Sequence, residues 1–187
     1  AAVAAEPQSA EAHSALGGAR AAQQDYAGAL AAYETARSLQ PANPLLLNAC
    51  ANMLRRLGRL AEAYTTITAA QALAPQLAML AHTRGNILCS AGYADQALQA
   101  FAAAAAMDPA NIESQQNAAL CALLLGDYAQ GWRRYAVRGT IAPRYAALTP
   151  WDGQAPVPLL LHAEQGLGDT LQFIRHAPQV APRVPRL

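Results

Sequence analysis

Apolar and small residues recur along this chain with the spacing of a helix face, and short polar turns interrupt them. In one segment Tyr93, Ala97, Leu98 and Phe101 stand three and four positions apart, which places them on one side of a helix. The same arrangement returns at regular intervals from residue 10 to residue 141. The pattern predicts an all-α architecture of helix pairs, at 10–23 and 26–39, 44–57 and 60–73, 78–91 and 94–107, and 112–125 and 128–141.

The pairs form an internal repeat of 34 residues. Prolines mark the step at Pro7, Pro41, Pro75, Pro109 and Pro143. A turn column consists of Gln24, Gly58, Gly92 and Gly126. A small column consists of Gly17, Ala51, Gly85 and Ala119, and a bulky column of Tyr33, Ile67, Phe101 and Tyr135.

Each column has a physical role in a helix–turn–helix unit. Proline lacks a backbone donor, so it ends one helix and prepares the next. Glycine adopts the left-handed backbone that closes a short turn between two helices. Small residues let two helices approach closely, and the bulky column fills the space beside them.

A 34-residue unit with these columns resembles the tetratricopeptide repeat, and the segment 92–98 with Phe101 and Pro109 matches that family closely. The resemblance implies a right-handed α-solenoid with repeats at 10–43, 44–77, 78–111 and 112–145. Residues 1–9 are then the end of a preceding repeat, because Pro7 keeps the 34-residue step. The family's tryptophan at the fourth place is absent, and Arg138 replaces a small residue in the last repeat.

The resemblance also implies that the first helix of each repeat lines a concave groove. The polar residues at the groove positions are Asn48, Asn52, Arg55, His82, Asn86, Gln116 and Asn117. Amides and imidazole both donate and accept hydrogen bonds, so they suit the main chain of an extended peptide. The alternative is that they are only the polar side of a solvated helix. A clamp for a terminal carboxylate needs several cations, and the groove offers only Arg55 and Arg56.

Composition narrows the function classes further. A net charge of +1 argues against a nucleic-acid partner, and no apolar run is long enough to cross a membrane. Three cysteines far apart indicate buried thiols rather than disulfides, and hence a cytoplasmic protein. No motif calls for a metal or a cofactor.

After Pro143 the pattern changes. A linker at 146–158 contains a turn at Trp151, and residues 159–187 begin with an apolar run, a glycine-rich turn and a helical segment. Strand, glycine-rich turn and helix open a doubly wound α/β domain, in which Gly166 and Gly168 would admit a phosphate.

The stretch 159–175 resembles the junction of bacterial proteins that join tetratricopeptide repeats to a heptosyltransferase-like glycosyltransferase of the two-Rossmann (GT-B) type. This second resemblance makes Asp169 a candidate base in a complete transferase. Fewer than twenty residues follow Asp169, so we expect a truncated and inactive fragment here.

We therefore predict a non-enzymatic module that binds a protein or an extended peptide. The two alternatives are a part of a glycosyltransferase that acts on a protein or glycan, and a structural spacer. The spacer would self-associate through its exposed solenoid ends.

Overall fold

The structure, a computed structural model, describes residues 8–136, 147–149, 151–162 and 167–187. The chain divides into two compact units, Ala1–Arg138 and Gly139–Leu187. In the first unit the described helices are α1 (Ala10–Ala22), α2 (Tyr26–Leu39), α3 (Pro44–Arg56), α4 (Leu60–Leu73), α5 (Ala78–Ser90), α6 (Ala94–Met107), α7 (Ile112–Leu124) and α8 (Tyr128–Tyr135).

These helices form a continuous α-solenoid. Each packs on the next along the chain, and α3 also contacts α5 of the following repeat. The all-α solenoid predicted from the repeat is thereby confirmed. The second helices begin where the pattern predicts, whereas each first helix ends one residue early because that residue already belongs to the turn. The helix predicted at 128–141 is described only to Tyr135, and 137–146 lie outside the described residues.

The turn column takes the backbone conformation predicted for it. Gly58, Gly92 and Gly126 have φ of 75°, 84° and 83°. Gln24 fills the same place in the first repeat with φ 62°, although it carries a side chain. A left-handed conformation costs a residue with a Cβ roughly 1–2 kcal/mol. The repeat geometry therefore overrides the local preference of Gln24.

The small and bulky columns face each other in the first and third repeats, and their members in the second repeat share one core cluster. A Cβ placed on Gly85 would lie 2.6 Å from two ring atoms of Phe101, and one on Gly17 would lie 2.9 Å from the Tyr33 ring. Where the bulky residue is Ile67, the small partner is Ala51, and both are fully buried. In the first and third repeats glycine is thus found opposite an aromatic ring, and in the second repeat alanine accompanies the smaller side chain of Ile67. The fourth repeat has a different combination, Ala119 with Tyr135.

The second unit contains α9 (Leu167–Ile174), α10 (Ala177–Val180) and a 3-10 turn at Ala181–Arg183. The predicted turn at Trp151 forms: the Asp152 carboxylate accepts hydrogen bonds from the amides of Gln154 (2.8 Å) and Ala155 (2.9 Å). Those two amides lower the pKa of Asp152.

The strand expected from Leu159 needs correction. Residues 159–162, the described part of that segment, form no strand. The Leu159 amide donates to the Arg186 carbonyl at 2.9 Å, but no β-ladder accompanies this bond. A strand is held by a ladder with a neighbouring strand, and an apolar run of the right length does not supply that neighbour. The helix predicted after the glycine-rich turn does form, as α9.

Candidate functional site

All seven polar residues predicted for the groove lie on three successive first helices. Asn48, Asn52 and Arg55 are on α3, His82 and Asn86 on α5, and Gln116 and Asn117 on α7. Asn48 is buried, and the other six are partly exposed. We call the surface formed by α3, α5 and α7 the first-helix face.

Part of this polar set is used to join neighbouring repeats. The Asn52 side-chain nitrogen donates to the Asn48 carbonyl at 3.2 Å and to the Thr83 hydroxyl at 3.4 Å. Thr83 is buried, so Asn52 pairs a hydroxyl that water does not reach. Asn52 therefore has a structural role beside any role in binding.

His82 is engaged in the same way between the third and fourth repeats. Its Nδ1 lies 2.8 Å from the hydroxyl of Ser114, and its Nε2 lies 3.4 Å from a Glu113 carboxylate oxygen. The imidazole also meets the Phe101 ring edge-on, with the ring centroids 5.4 Å apart. Three contacts fix the imidazole, which leaves little of it for a ligand.

The side chains of Ser114, His82 and Glu113 have the composition of a hydrolytic triad, but Ser114 is 0% exposed. A nucleophile must reach its substrate, and this hydroxyl is sealed in the core. The cluster is accordingly a hydrogen-bonded contact between repeats. Ser114 is not among the predicted site residues, although its column contains a signal: Leu46 and Leu80 occupy the equivalent place in the two preceding repeats.

The contacts between first helices share one register. Asn52 and Thr83 are 31 residues apart, His82 and Glu113 are 31 apart, and His82 and Ser114 are 32 apart. Across this face a residue thus contacts the residue 31 or 32 positions later in the chain. That residue lies two or three positions before the equivalent residue of the next repeat. Three residues of helix correspond to about 4.5 Å along the axis. This offset is the stagger between successive first helices.

The same register relates Arg55 to Asn86, and Asn86 to Asn117, since each step is 31 residues. We call these three residues the free row. Among the described residues, the side chains of Asn86 and Asn117 have no hydrogen-bond partner. Gln116, beside Asn117, also has none in that part of the chain.

Arg55 and Asn48 carry unsatisfied polar atoms. Arg55 Nε and Asn48 Oδ1 are buried and have no hydrogen-bond partner among the described residues. Burial lowers the pKa of Arg55, and the neighbouring positive charge of Arg56 lowers it further. A guanidinium nevertheless stays protonated in proteins. The face therefore presents a half-buried cation that pairs with no acidic side chain in the described part of the chain.

Apolar side chains border the polar set on the same helices. Leu45 on α3, Met79 on α5 and Leu120 on α7 are each about half exposed. A surface with separate apolar contacts and unpaired polar groups can hold both the side chains and the main chain of an extended segment.

The predicted phosphate turn and base are outside this face. Gly166 lies outside the described residues, as does the side chain of Asp169. Gly168 and Asp169 stand in the first turn of α9. Their roles stay predictions.

Two further features are absent from the described ranges. No three His, Cys, Asp or Glu side chains there lie close enough together to hold a metal ion. None of the helices described is long and apolar enough to span a bilayer.

Comparison with solved structures places this geometry among known folds. MamA is similar with a TM-score of 0.64 and 17% identity, over 72% of this chain and 78% of that one. The first TPR of Spaghetti (RPAP3), solved with the HSP90 peptide SRMEEVD, gives a TM-score of 0.60 and 22% identity, over 64% of this chain and 94% of that one. YrrB, a TPR protein with an unusual peptide-binding site, gives a TM-score of 0.58 and 20% identity, over 71% of this chain and 68% of that one.

This chain has the tetratricopeptide-repeat fold. A comparison with family models and one with curated proteins find no match. At these identities the structural likeness concerns the fold alone, and the side chains of the first-helix face must supply the argument for function.

Proposed function

We propose that the first-helix face binds an extended peptide segment of a partner protein. The observation that carries the proposal is the free row, with two unpaired amides and a half-buried guanidinium aligned across three helices. Buried polar groups are normally paired, so unpaired ones at a surface are suited to an incoming ligand. A peptide main chain supplies a carbonyl for each donor and an amide for each acceptor.

The charge of the row adds to the proposed specificity. Arg55 would donate its free Nε–H to a carbonyl or a carboxylate oxygen, and an acidic side chain would also compensate its charge. Leu45, Met79 and Leu120 would contact apolar side chains of the same segment. Two similar solved structures, the first TPR of Spaghetti (RPAP3) with the HSP90 peptide and YrrB with its peptide-binding site, lend support from the fold.

The experiment starts from a displayed library of random peptides selected on the full chain. The tightest selected peptide is labelled, and its affinity is measured by fluorescence polarisation. The test variant is Asn86→Ala with Asn117→Ala, because neither side chain contributes to the internal contacts described above. The matched control is Gln96→Ala, an exposed amide on the second helix α6.

Each lost ligand hydrogen bond costs about 1 kcal/mol, so we expect the double variant to bind roughly 10- to 30-fold more weakly. The control should bind like the wild type. An unchanged affinity in the double variant, or an equal loss in Gln96→Ala, contradicts the placement of the peptide. Asn52→Ala is the less informative variant because it also unpairs the buried Thr83 hydroxyl.

We infer a binding role rather than catalysis for this chain, acting in the cytoplasm, the compartment that three free cysteines favour. The glycosyltransferase alternative rests on the resemblance of 159–175. Its test is release of nucleotide from a set of sugar nucleotides by the full chain, with Asp169→Asn as the matched variant. Self-association is measured by sedimentation over a range of concentrations, and a mass that rises with concentration would favour the spacer.

A further inference from the structure

Two cysteines from neighbouring repeats meet on the first-helix face. Cys89 on α5 and Cys121 on α7 have their sulfur atoms 3.4 Å apart. Cys89 is exposed, whereas Cys121 is 3% exposed. The third cysteine, Cys50, is buried on α3. The pair is 32 residues apart, the same register as the other contacts between first helices.

The distance is close to what a covalent link requires. A disulfide has its sulfurs about 2.05 Å apart, so the gap to be closed is roughly 1.4 Å. We expect rotation about the Cα–Cβ bond of the exposed Cys89 to close that gap. The two residues belong to consecutive repeats, so the link would add a side-chain covalent bond between units that the backbone and noncovalent packing already join.

We propose that Cys89 and Cys121 form a redox-active dithiol that closes to a disulfide by exchange with a small disulfide such as oxidised glutathione. The inference goes beyond peptide binding and does not depend on it. It assigns to the pair a modification site, with a low-molecular-weight disulfide as the oxidant.

The reaction has two balanced steps. The Cys89 thiolate attacks one sulfur of glutathione disulfide, breaks the S–S bond and releases one glutathione thiolate, which takes up the proton that Cys89 lost. Cys121 then loses its proton to solvent and attacks the Cys89 sulfur, which releases the second glutathione. Two protein thiols are oxidised, and one glutathione disulfide is reduced to two glutathiones.

The environments of the two thiols set this order. Cys89 alone reaches solvent, so it meets the oxidant first. Burial raises the pKa of Cys121, and the adjoining Cys89 raises it further through a hydrogen bond and its charge. Once Cys89 carries glutathione, the contribution of its thiol to that pKa is removed and only burial opposes the attack. The second step is therefore the slower one.

The test uses the full chain, treated with oxidised glutathione at about pH 8 and compared with a sample held in dithiothreitol. We expect the count of free thiols to fall from three to one in the oxidised sample. Both cysteines lie in one tryptic peptide, 85–133, whose mass should fall by two hydrogens. Cleavage at Met107 separates the two halves of that peptide unless the disulfide joins them.

Thermal unfolding gives a second readout. A link that closes a loop of this length should raise the Tm of the oxidised chain on the order of 5–10 °C. Cys89→Ala and Cys121→Ala should each abolish the rise and the mass change. Cys50→Ala is the matched control and should retain both.

Three outcomes would overturn the proposal. A stable glutathione adduct on Cys89 would mean that Cys121 does not attack. A disulfide between two chains would mean that the exposed thiol reacts with another molecule instead. Retention of an intramolecular disulfide in Cys121→Ala would mean that Cys89 pairs with a cysteine other than Cys121.

Discussion

Substitution of Gly85 by alanine tests the packing rule that relates the small and bulky columns. The new Cβ would lie 2.6 Å from the Cδ1 and Cε1 atoms of the Phe101 ring, closer than real Cβ atoms approach a neighbour. The ring is 1% exposed and packs edge-on against His82, so the surrounding side chains restrict its displacement. The position lies inside a helix, where alanine is otherwise preferred to glycine.

The expected magnitude follows from these two opposing effects. Overpacking in a filled core costs about 1–3 kcal/mol, and a pinned ring places Gly85→Ala near the upper end. Alanine regains about 1 kcal/mol of helix propensity. The net expectation is a loss of about 2 kcal/mol in the free energy of unfolding.

Gly18→Ala is the matched control. Gly18 lies inside α1 and is exposed, and its nearest neighbour would be the Tyr33 hydroxyl at an ordinary 3.6 Å. Only the propensity changes at this position, so we expect a stabilisation of roughly 0.5–1 kcal/mol. Two glycine-to-alanine changes in first helices should thus have opposite signs.

A double variant separates the ring contact from any other effect. Gly85→Ala with Phe101→Ile reproduces the combination that the second repeat already uses in Ala51 and Ile67. We expect this variant to be at least about 1 kcal/mol more stable than the sum of the two single changes predicts. Urea unfolding followed by far-UV circular dichroism measures each step at constant slope m. Amide hydrogen exchange in α5 is measured beside it, because a repeat array can unfold in parts.

Additivity of the two changes within about 0.5 kcal/mol would refute the reasoning. So would a stabilising Gly85→Ala, since the ring would then yield freely.

Four further changes test other parts of the array. Gln24→Gly should stabilise the protein by about 0.5–1 kcal/mol, because glycine adopts a φ of 62° without strain. Gly58→Ala should destabilise it by about 1 kcal/mol from φ strain alone, because the new Cβ would have no atom within 4 Å. Thermal unfolding measures both changes. Burial raises the pKa of Cys50 from 9.0 to about 11, so the folded state holds this proton more tightly. Its stabilisation is full below about pH 9 and is lost as the pH rises to about 11. Cys50→Ala should make the urea midpoint fall less steeply across that window, and the raised pKa values of Cys121 and Tyr33 account for the fall that remains. His82→Ala leaves the buried hydroxyl of Ser114 unpaired and should cost about 1–3 kcal/mol, more than Ser114→Ala in the same urea assay.

The helices and their turns could be predicted from the sequence because their causes are local. The proline and glycine columns restrict the backbone where they stand, and the left-handed turn extends even to Gln24 because the repeat on either side demands it. The strand predicted from the apolar run at 159 was wrong because its cause is not local. A strand depends on a partner elsewhere in the chain, and residue type alone does not reveal one.

The composition of the candidate site was predictable, but its internal pairing was not. The column positions place Asn52, His82, Asn86 and Asn117 on successive first helices. They could not show that Asn52 and His82 are engaged in contacts between repeats while Asn86 and Asn117 are not. That difference depends on how far each first helix is displaced along its neighbour, which is a property of packing between repeats.

Because of this displacement, a chain with a 34-residue repeat makes its contacts between first helices at separations of 31 or 32 residues. These separations define two rows of side chains on the first-helix face. One row, from Asn52 through Thr83 to Ser114, runs inward and is consumed by contacts between repeats. The parallel row, from Arg55 through Asn86 to Asn117, has the same spacing but stays open. An array needs the first row to stack and can vary the second without loss of stability. Substitutions in the free row should therefore change peptide binding and leave the free energy of unfolding within about 0.5 kcal/mol of the wild type. Substitutions of Asn52, Thr83 or Ser114 should change both quantities.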